Sequence, residues 1–447
     1  MPRRAGQLAE LLRKGVLVAV TGLRDAEVTV VGGGAVGCAV AYTLAAAGYR
    51  DVQVIERGEL CGATSGQAAG LVGQVRSTAE RCRLAMASVR VYSGLQEQTG
   101  YPADWRQTGS VRIALTAERA AEFRRLARVA ASCGLDVEML SPAQLARLCP
   151  MVSTSAATAA LWCPTDGYLQ PYSLVTAYAG AARDRGVSFA VGTTVTGLRL
   201  AAAGRGAAGQ AGLEVTGVRT DRGDAASSMV IIAAGPWSAS VAGLAGVWIP
   251  IVPVRHEYFV TRPVDGWNPG LPVLRIPDIR LYARAEGPAI LCGGWEPNAM
   301  SLDPRQVGIG QPLLVAPDWD VLAGFARDFG QLVPAVNEVG VREVFRGFPA
   351  FSPDGRFVVG PLPGIRGLVM AAACNAHGVS GSAGLAMHLL ESLQPDPSPY
   401  VRSLSPARFL PPTWDWESAR AQATQVYQDY YGLSGAPVSS GAPDARG

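Results

Sequence analysis

Lysine is almost absent from this chain of 447 residues. Of its 39 basic residues, all but Lys14 are arginine, so a catalytic lysine in the body of the chain is excluded. Histidine is nearly as scarce, with His256, His377 and His388 making up the three. The eight cysteines form no CxxC pair. That argues against a zinc site and for reduced, buried thiols in a cytoplasmic protein. No metal is expected. Neither sign of charge dominates: the net charge of +3 gives no reason to expect a nucleic acid or an anionic membrane surface as partner. Outside segments suited to a nucleotide fold, no uncharged apolar run reaches the roughly 18 residues of a membrane span. The start, "MPRRAGQLAELLRKGVLVAVTGL", has basic residues and then a short apolar run, but Glu10, Arg13 and Lys14 interrupt it. It makes a poor signal peptide.

Apolar residues make up 49% of the chain and charged residues 17%, a globular balance. The length allows more than one core. "EVTVVGGGAVGCAVAYTLAAAGYRDVQVIER" reads as strand, glycine turn, helix and strand. Val28 to Val31 is a β-branched run suited to a buried parallel strand, and Ala35 to Ala47 is apolar on nearly all sides, as a helix on a sheet should be. Gly48 ends that helix. Further strands are expected in "TGSVRIAL", "GVSFAVGTTVTGLRL", "MVIIAAGPWS" and "VRHEYFVT", and helices in "SPAQLARLCP" and over 172–184. A glycine-rich loop is expected at "GRGAAGQAG".

Gly32-Gly33-Gly34-Ala35-Val36-Gly37 is a GxGxxG that follows a strand, opens a helix and precedes Glu56 at the end of the second strand. That is the full dinucleotide fingerprint. Gly32 makes the turn, Gly34 admits a pyrophosphate, and Gly37 lets helix and strand close up. The helix N-terminus, with Ala35 and Val36 in its first turn, offers free N–H groups to phosphate. Glu56 can accept from ribose hydroxyls. Three more segments favour FAD over NAD. "GATS" (62–65) with Thr64 and Ser65 can wrap a second phosphate. "VIIAAGPWS" brings Ala234, Gly235 and Trp237 back to the sheet, with Gly235 as bare backbone beside a cofactor. "CNAHGVSGSAG" leads into a helix whose N-terminus suits the negative charge of a reduced flavin, with His377, Gly378, Val379 and Ser380 at its entry. Arg57 and Val195 complete the expected cofactor shell, with the loop Gln67, Ala68, Ala69, Gly70 and Leu71.

"AAGLVGQVRS", "PTDGYLQP", "PVRHEYFVT", "GGWEPN", "FSPDGRFVVGPLPG" and "YQDYYGL" together resemble the D-amino-acid oxidase superfamily, and more narrowly the sarcosine and dimethylglycine dehydrogenases. The resemblance runs from Val28 to about Leu433. It implies an α/β chain with a discontinuous Rossmann-like FAD-binding domain (28–95, 150–248 and 342–395) and a mixed-sheet substrate domain (96–149 and 249–341). Around these lie an N-terminal lead (1–27), a C-terminal extension (396–433) and a disordered tail (434–447). It also implies hydride transfer from a C–N carbon to flavin N5. The substrate class is then a secondary or tertiary amine, an N-methyl or N-alkyl amino acid, and the imine hydrolyses or cyclises. The alternatives are a glycine or amino-acid oxidase acting on a primary amine, and a redox-silent FAD-binding protein. Oxygen or an electron-transfer acceptor would take the electrons. The expected assembly is a monomer or a small homo-oligomer, with no membrane and no nucleic acid.

Members carry a flavin-linked histidine before "AAGL", or a cysteine further on. Here those places hold Gln67 and a position close to Gly347, so the FAD is expected to be non-covalent and less oxidising. His256 and Tyr258 match the family's pocket wall, and His377 the place of a His-Gly beside the flavin. For a substrate carboxylate, which calls for a bidentate arginine, Arg76 comes first, straight off the flavin loop. Arg284, on one strand face with Tyr282, comes second. Trp295 is an expected aromatic wall, and His388 an expected structural residue.

Overall fold

A computed structural model describes residues 22–203, 212–411 and 414–433. Most of the N-terminal lead with Lys14, nearly all of the glycine-rich loop and the expected disordered tail lie outside the described residues.

Two sheets carry the fold. The first has six strands in the order Val358–Pro361, Leu368–Ala372, Met229–Ile232, Val28–Val31, Val52–Glu56, Ser188–Val191. All pairings are parallel except the edge strand Val358–Pro361. The strand Val28–Val31 is buried throughout, which is why it reads as an unbroken β-branched run. Helices Ala35–Ala46, Pro171–Arg183 and Ser382–Ser392 cover one face, and their alanines let the first helix sit close to both neighbours. The meander Val195–Ala202, Leu213–Thr220, Gly223–Ala226 covers the other.

The second sheet has eight strands: Val341–Gly347, His256–Pro263, Ala289–Gly294, Leu281–Glu286, Val273–Ile276, Ser110–Ala114, Ala159–Cys163, Glu138–Leu140. It is antiparallel apart from the pair Val273–Ile276 and Ser110–Ala114. Two expected boundaries move as a result. Ala159–Cys163 was expected in the cofactor domain but pairs with Ser110–Ala114, and Val341–Gly347 pairs with His256–Pro263 instead of opening the last cofactor segment. Helix Ala79–Thr99 also runs unbroken across the expected boundary at 95.

The C-terminal helix Trp416–Gln428, capped by Asp415, returns to this junction. It buries Ala423 and Tyr427 against Val252, Val254, Phe351 and Trp295, and Tyr431 joins the same cluster. Arg119 fastens it. Arg119 is 6% exposed, and its guanidinium pairs with Glu122 and Asp278 and donates to the Tyr431 carbonyl at 2.7 Å. All eight cysteines are free, and six are buried. Among the described residues there is no helix long and apolar enough to cross a membrane and no cluster of metal-binding groups.

Arg119→Met would remove the cation that Glu122 and Asp278 share and would free the tail. The expected cost is about 3 kcal/mol of unfolding free energy, read as a lowered midpoint in urea unfolding followed by tryptophan fluorescence.

Candidate active site

The glycine turn is built by contact. Gly32 has φ +119°, and a Cβ there would lie 2.4 Å from the Ala233 carbonyl oxygen. A Cβ at Gly37 would lie 1.8 Å from the Gly32 oxygen, so this glycine packs the helix on its own turn more than on the neighbouring strand. Gly34, the N-cap, has no side-chain cap, and the first helical turn holds no acid. Ser65 Oγ accepts from Ala35 N at 3.0 Å, which brings the "GATS" segment over the turn. Glu56 ends its strand and accepts from the amides of Gly33 and Gly58 at 2.7 and 2.9 Å.

A cleft opens from this turn, with ≈1730 Å³ of empty space, its open mouth included. Its lining runs from the glycine turn past the 64–71 loop to Arg76 and Tyr430, a length that suits an extended dinucleotide. At the near end are Gly32, Gly34, Ala35, Val36 and Glu56, with Arg57, Trp237 and Val195. Arg57 Cζ lies over the Trp237 ring, 3.6 Å from its centroid, and the guanidinium donates to the carbonyls of Ile309 and Gln311. Gly235 (φ +53°) has open space where a Cβ would be. The middle is the loop Thr64, Ser65, Gln67 to Leu71, faced by Gly347, Gly378, Val379 and Ser380. The far end holds Arg76, His256, Arg275, Tyr282, Trp295 and Tyr430. Nε of buried Arg275 and Nε1 of Trp295 have no hydrogen-bond partner among the described residues. Unpaired buried polar groups of this kind ask for a ligand.

Four residues expected at the site lie outside the cleft lining. Gly37 packs the turn. Tyr258 stacks on Phe345 at 4.9 Å, and its hydroxyl reaches Ala68 O at 3.4 Å, so it braces the flavin loop from behind. Arg284 is committed: it donates to Ala69 O at 2.6 Å and pairs with Glu286 at 2.7 Å, which leaves no fork for a substrate. His377 stands one layer back, behind Tyr430. His388 pairs with Glu391 on the last cofactor helix. Two of the far-end lining residues escaped sequence reasoning. Arg275 sits in "VLRIP", which carries no motif. Tyr430 lies in "YQDYYGL", a segment marked by the resemblance but given no role.

The far end is electropositive and aromatic. Arg76, Arg112 and Arg275 surround Asp166, and among the described residues none of the three has a carboxylate within 4.0 Å. Burial, aided by the charges of Arg112 and Arg275, lowers Arg76 to about 10, so it stays charged at neutral pH. His256 is held between Tyr427 (Nδ1, 3.0 Å) and Tyr282 (Nε2, 2.7 Å), with the Trp295 ring 4.7 Å away. Burial lowers its pKa to about 4. One of its nitrogens donates to one tyrosine, and the other accepts from the second.

The family description "FAD dependent oxidoreductase" matches residues 27–392. The chain belongs to the FAD dependent oxidoreductase (DAO) family. Human mitochondrial sarcosine dehydrogenase is 30% identical over 81% of the chain and 39% of its own length. The 4-methylaminobutanoate oxidase (formaldehyde-forming) of Paenarthrobacter nicotinovorans is 31% identical over 81% of the chain and 43% of its own length. The chain thus spans less than half of either relative. The solved L-proline dehydrogenase of P. horikoshii superposes with a TM-score of 0.76 at 23% identity, over 86% of this chain and 98% of that one. The residues of the cleft fit the family's FAD: Gly32 to Val36 and Ser65 would hold the pyrophosphate, Glu56 the ribose, and the 64–71 loop the flavin.

His256 gives a pH signature. Its folded pKa, about 4, lies below the unfolded value near 6.5, so the folded state binds fewer protons between them. Its contribution is complete above about 6.5 and is lost as pH falls towards 4. Across that window His256→Gln should flatten the stability–pH slope, read from thermal midpoints of wild type and variant at pH 4 to 7.

Proposed function

We propose that this chain oxidises a secondary or tertiary amine that carries a carboxylate, an N-alkyl amino acid. One observation carries the reading: the dinucleotide cleft runs directly into a box of His256, Tyr282, Trp295 and Tyr430 that holds two arginines without carboxylate partners. Relatives named as a sarcosine dehydrogenase and a methylaminobutanoate oxidase support it.

Arg76 and Arg275 bind the carboxylate as the anchor. The aromatic rings strip water from the amine and press it towards its neutral form, the form able to release a hydride. FAD supplies the two-electron acceptor for that hydride. His256, neutral and hydrogen-bonded at both nitrogens, holds Tyr282 and Tyr427 in place. The ammonium sheds its proton, and the neutral amine then loses a hydride from carbon to give an iminium, which for a secondary amine is the protonated imine. It takes up water and parts into an aldehyde and a shorter amine.

The FAD is bound without a covalent link. Gln67 and Gly347 face each other, a Cβ at Gly347 lying 3.3 Å from Gln67 Cβ, and neither has a nucleophile. The thiols of Cys61 and Cys374, also on the cleft, are pushed by burial up to about 12 and stay protonated.

Acid precipitation should leave a colourless pellet and all the flavin in the supernatant. Anaerobic addition of N-methyl amino acids should bleach the flavin band. Arg275→Met should lower kcat/KM roughly 10- to 100-fold, mostly through KM, as expected for one charged hydrogen bond. Full activity in that variant would remove Arg275 from the anchor.

A further inference from the structure

Tyr430 enters the cleft from beyond the matched family region, which ends at residue 392. It follows the helix Trp416–Gln428, and the bond from Arg119 to the Tyr431 carbonyl pins the next residue. Its ring lies on Trp295 with centroids 3.6 Å apart and planes 10° from parallel. The His377 ring lies 5.6 Å from it, and the hydroxyl is 3.1 Å from His377 Nε2.

His377 Nδ1 lies 2.8 Å from the Asn375 carbonyl oxygen. A carbonyl can only accept, so Nδ1 carries the proton. Burial, and then the charges of Arg76 and Arg81, hold the pKa of His377 well below its ordinary value, so the ring is neutral. Nε2 is therefore an acceptor, and the Tyr430 hydroxyl donates to it. A phenol has one hydrogen, and this one is spent. Among the described residues nothing donates to the Tyr430 oxygen. It offers a neighbouring ligand lone pairs only.

That matters for the amine. The reactive form is neutral, with its lone pair free to expel the hydride. A neutral secondary amine still has one N–H to give to an acceptor oxygen. A neutral tertiary amine has none, and its alkyl group would leave the oxygen dry and unpaired. Resting on the amine-oxidation reading, we propose that Tyr430, aimed by His377, selects secondary over tertiary amines, so that the substrates are N-monoalkyl amino acids. Tyr430 is then a specificity residue in contact with substrate, and His377 a positioning residue that acts through it. His256 cannot serve in the same way, because both its nitrogens are taken by tyrosines.

The test is anaerobic stopped-flow reduction of the FAD-loaded full chain with two matched pairs: sarcosine against N,N-dimethylglycine, and N-methylalanine against N,N-dimethylalanine. Wild type should reduce the secondary member at least about tenfold more efficiently in each pair. Tyr430→Phe keeps the ring stack and removes the acceptor. It should bring each ratio to within about threefold, by slowing the secondary amine and leaving the tertiary nearly unchanged. His377→Leu frees the phenol hydrogen, so Tyr430 can donate to a tertiary amine's lone pair. The apparent Kd for the dimethyl member should fall while that for the monomethyl member rises, a crossover that general loosening of the site would not produce. Flavin content and absorbance spectrum check that both variants are loaded. Equal or better reduction by tertiary amines in wild type, or an unchanged ratio in Tyr430→Phe, overturns the selection. If no amine of either kind reduces the wild-type flavin, the amine-oxidation reading itself fails, and the selection with it.

Discussion

The carboxylate of Asp166 ties the two halves of the molecule together. It is 2% exposed. It accepts from Gln74 through backbone and side chain, at 2.8 and 3.0 Å, and from the Ser110 hydroxyl. Gln74 belongs to the arm leaving the flavin loop, and Ser110 opens a strand of the eight-stranded sheet. One buried charge thus sets where the loop meets the substrate side. It is also the carboxylate that bears on Arg76, Arg112 and Arg275 together. Three guanidiniums round one occupied carboxylate leave a positive excess in a place with little water. Such an excess is costly to keep unless an anion enters.

The tail meets this centre from the opposite side. Tyr427, Tyr430 and Tyr431 are brought in by one short helix and fastened through Arg119, whose other partners, Glu122 and Asp278, belong to the sheet side. The aromatic box is therefore assembled from sequence positions about 170 residues apart (His256 and Tyr427 are in contact), and it stands only while the tail is docked.

The near end of the cleft was legible because its chemistry is local. Gly32 to Gly37, Glu56 and the 64–71 loop meet within one strand–turn–helix–strand unit, where spacing alone fixes geometry. The far end is tertiary. Strand alternation correctly gives a face, but not which neighbour covers it. Tyr258 shares a strand with His256, two residues on, yet lies against Phe345 behind the loop. Arg284 was a fair candidate by face and fails because Ala69 and Glu286 already hold it. Arg275 lines the cleft for a reason no pattern carries: among the described residues its one protein hydrogen bond is a 3.4 Å contact to Tyr431, and its Nε has none. The boundaries at 150 and 342 slipped in the same way, since Ala159–Cys163 and Val341–Gly347 find partners far away in sequence.

The scarcity of lysine takes on meaning at this site. Arginine anchors anions but does not give up its proton under ordinary conditions. For the proposed amine substrate, proton handling then falls to tyrosines and histidines, and burial keeps His256 and His377 neutral. On the proposed reading, the arginines do more than hold a carboxylate. An ammonium group beside Arg76 and Arg275 feels like charges in a dry setting, which lowers its pKa. The charges that attract the substrate's acid end also disfavour the protonated form of its amine end. A strong base in the cleft is then unnecessary: the substrate sheds its proton as it is desolvated, and the side chains need only offer oriented lone pairs to what remains.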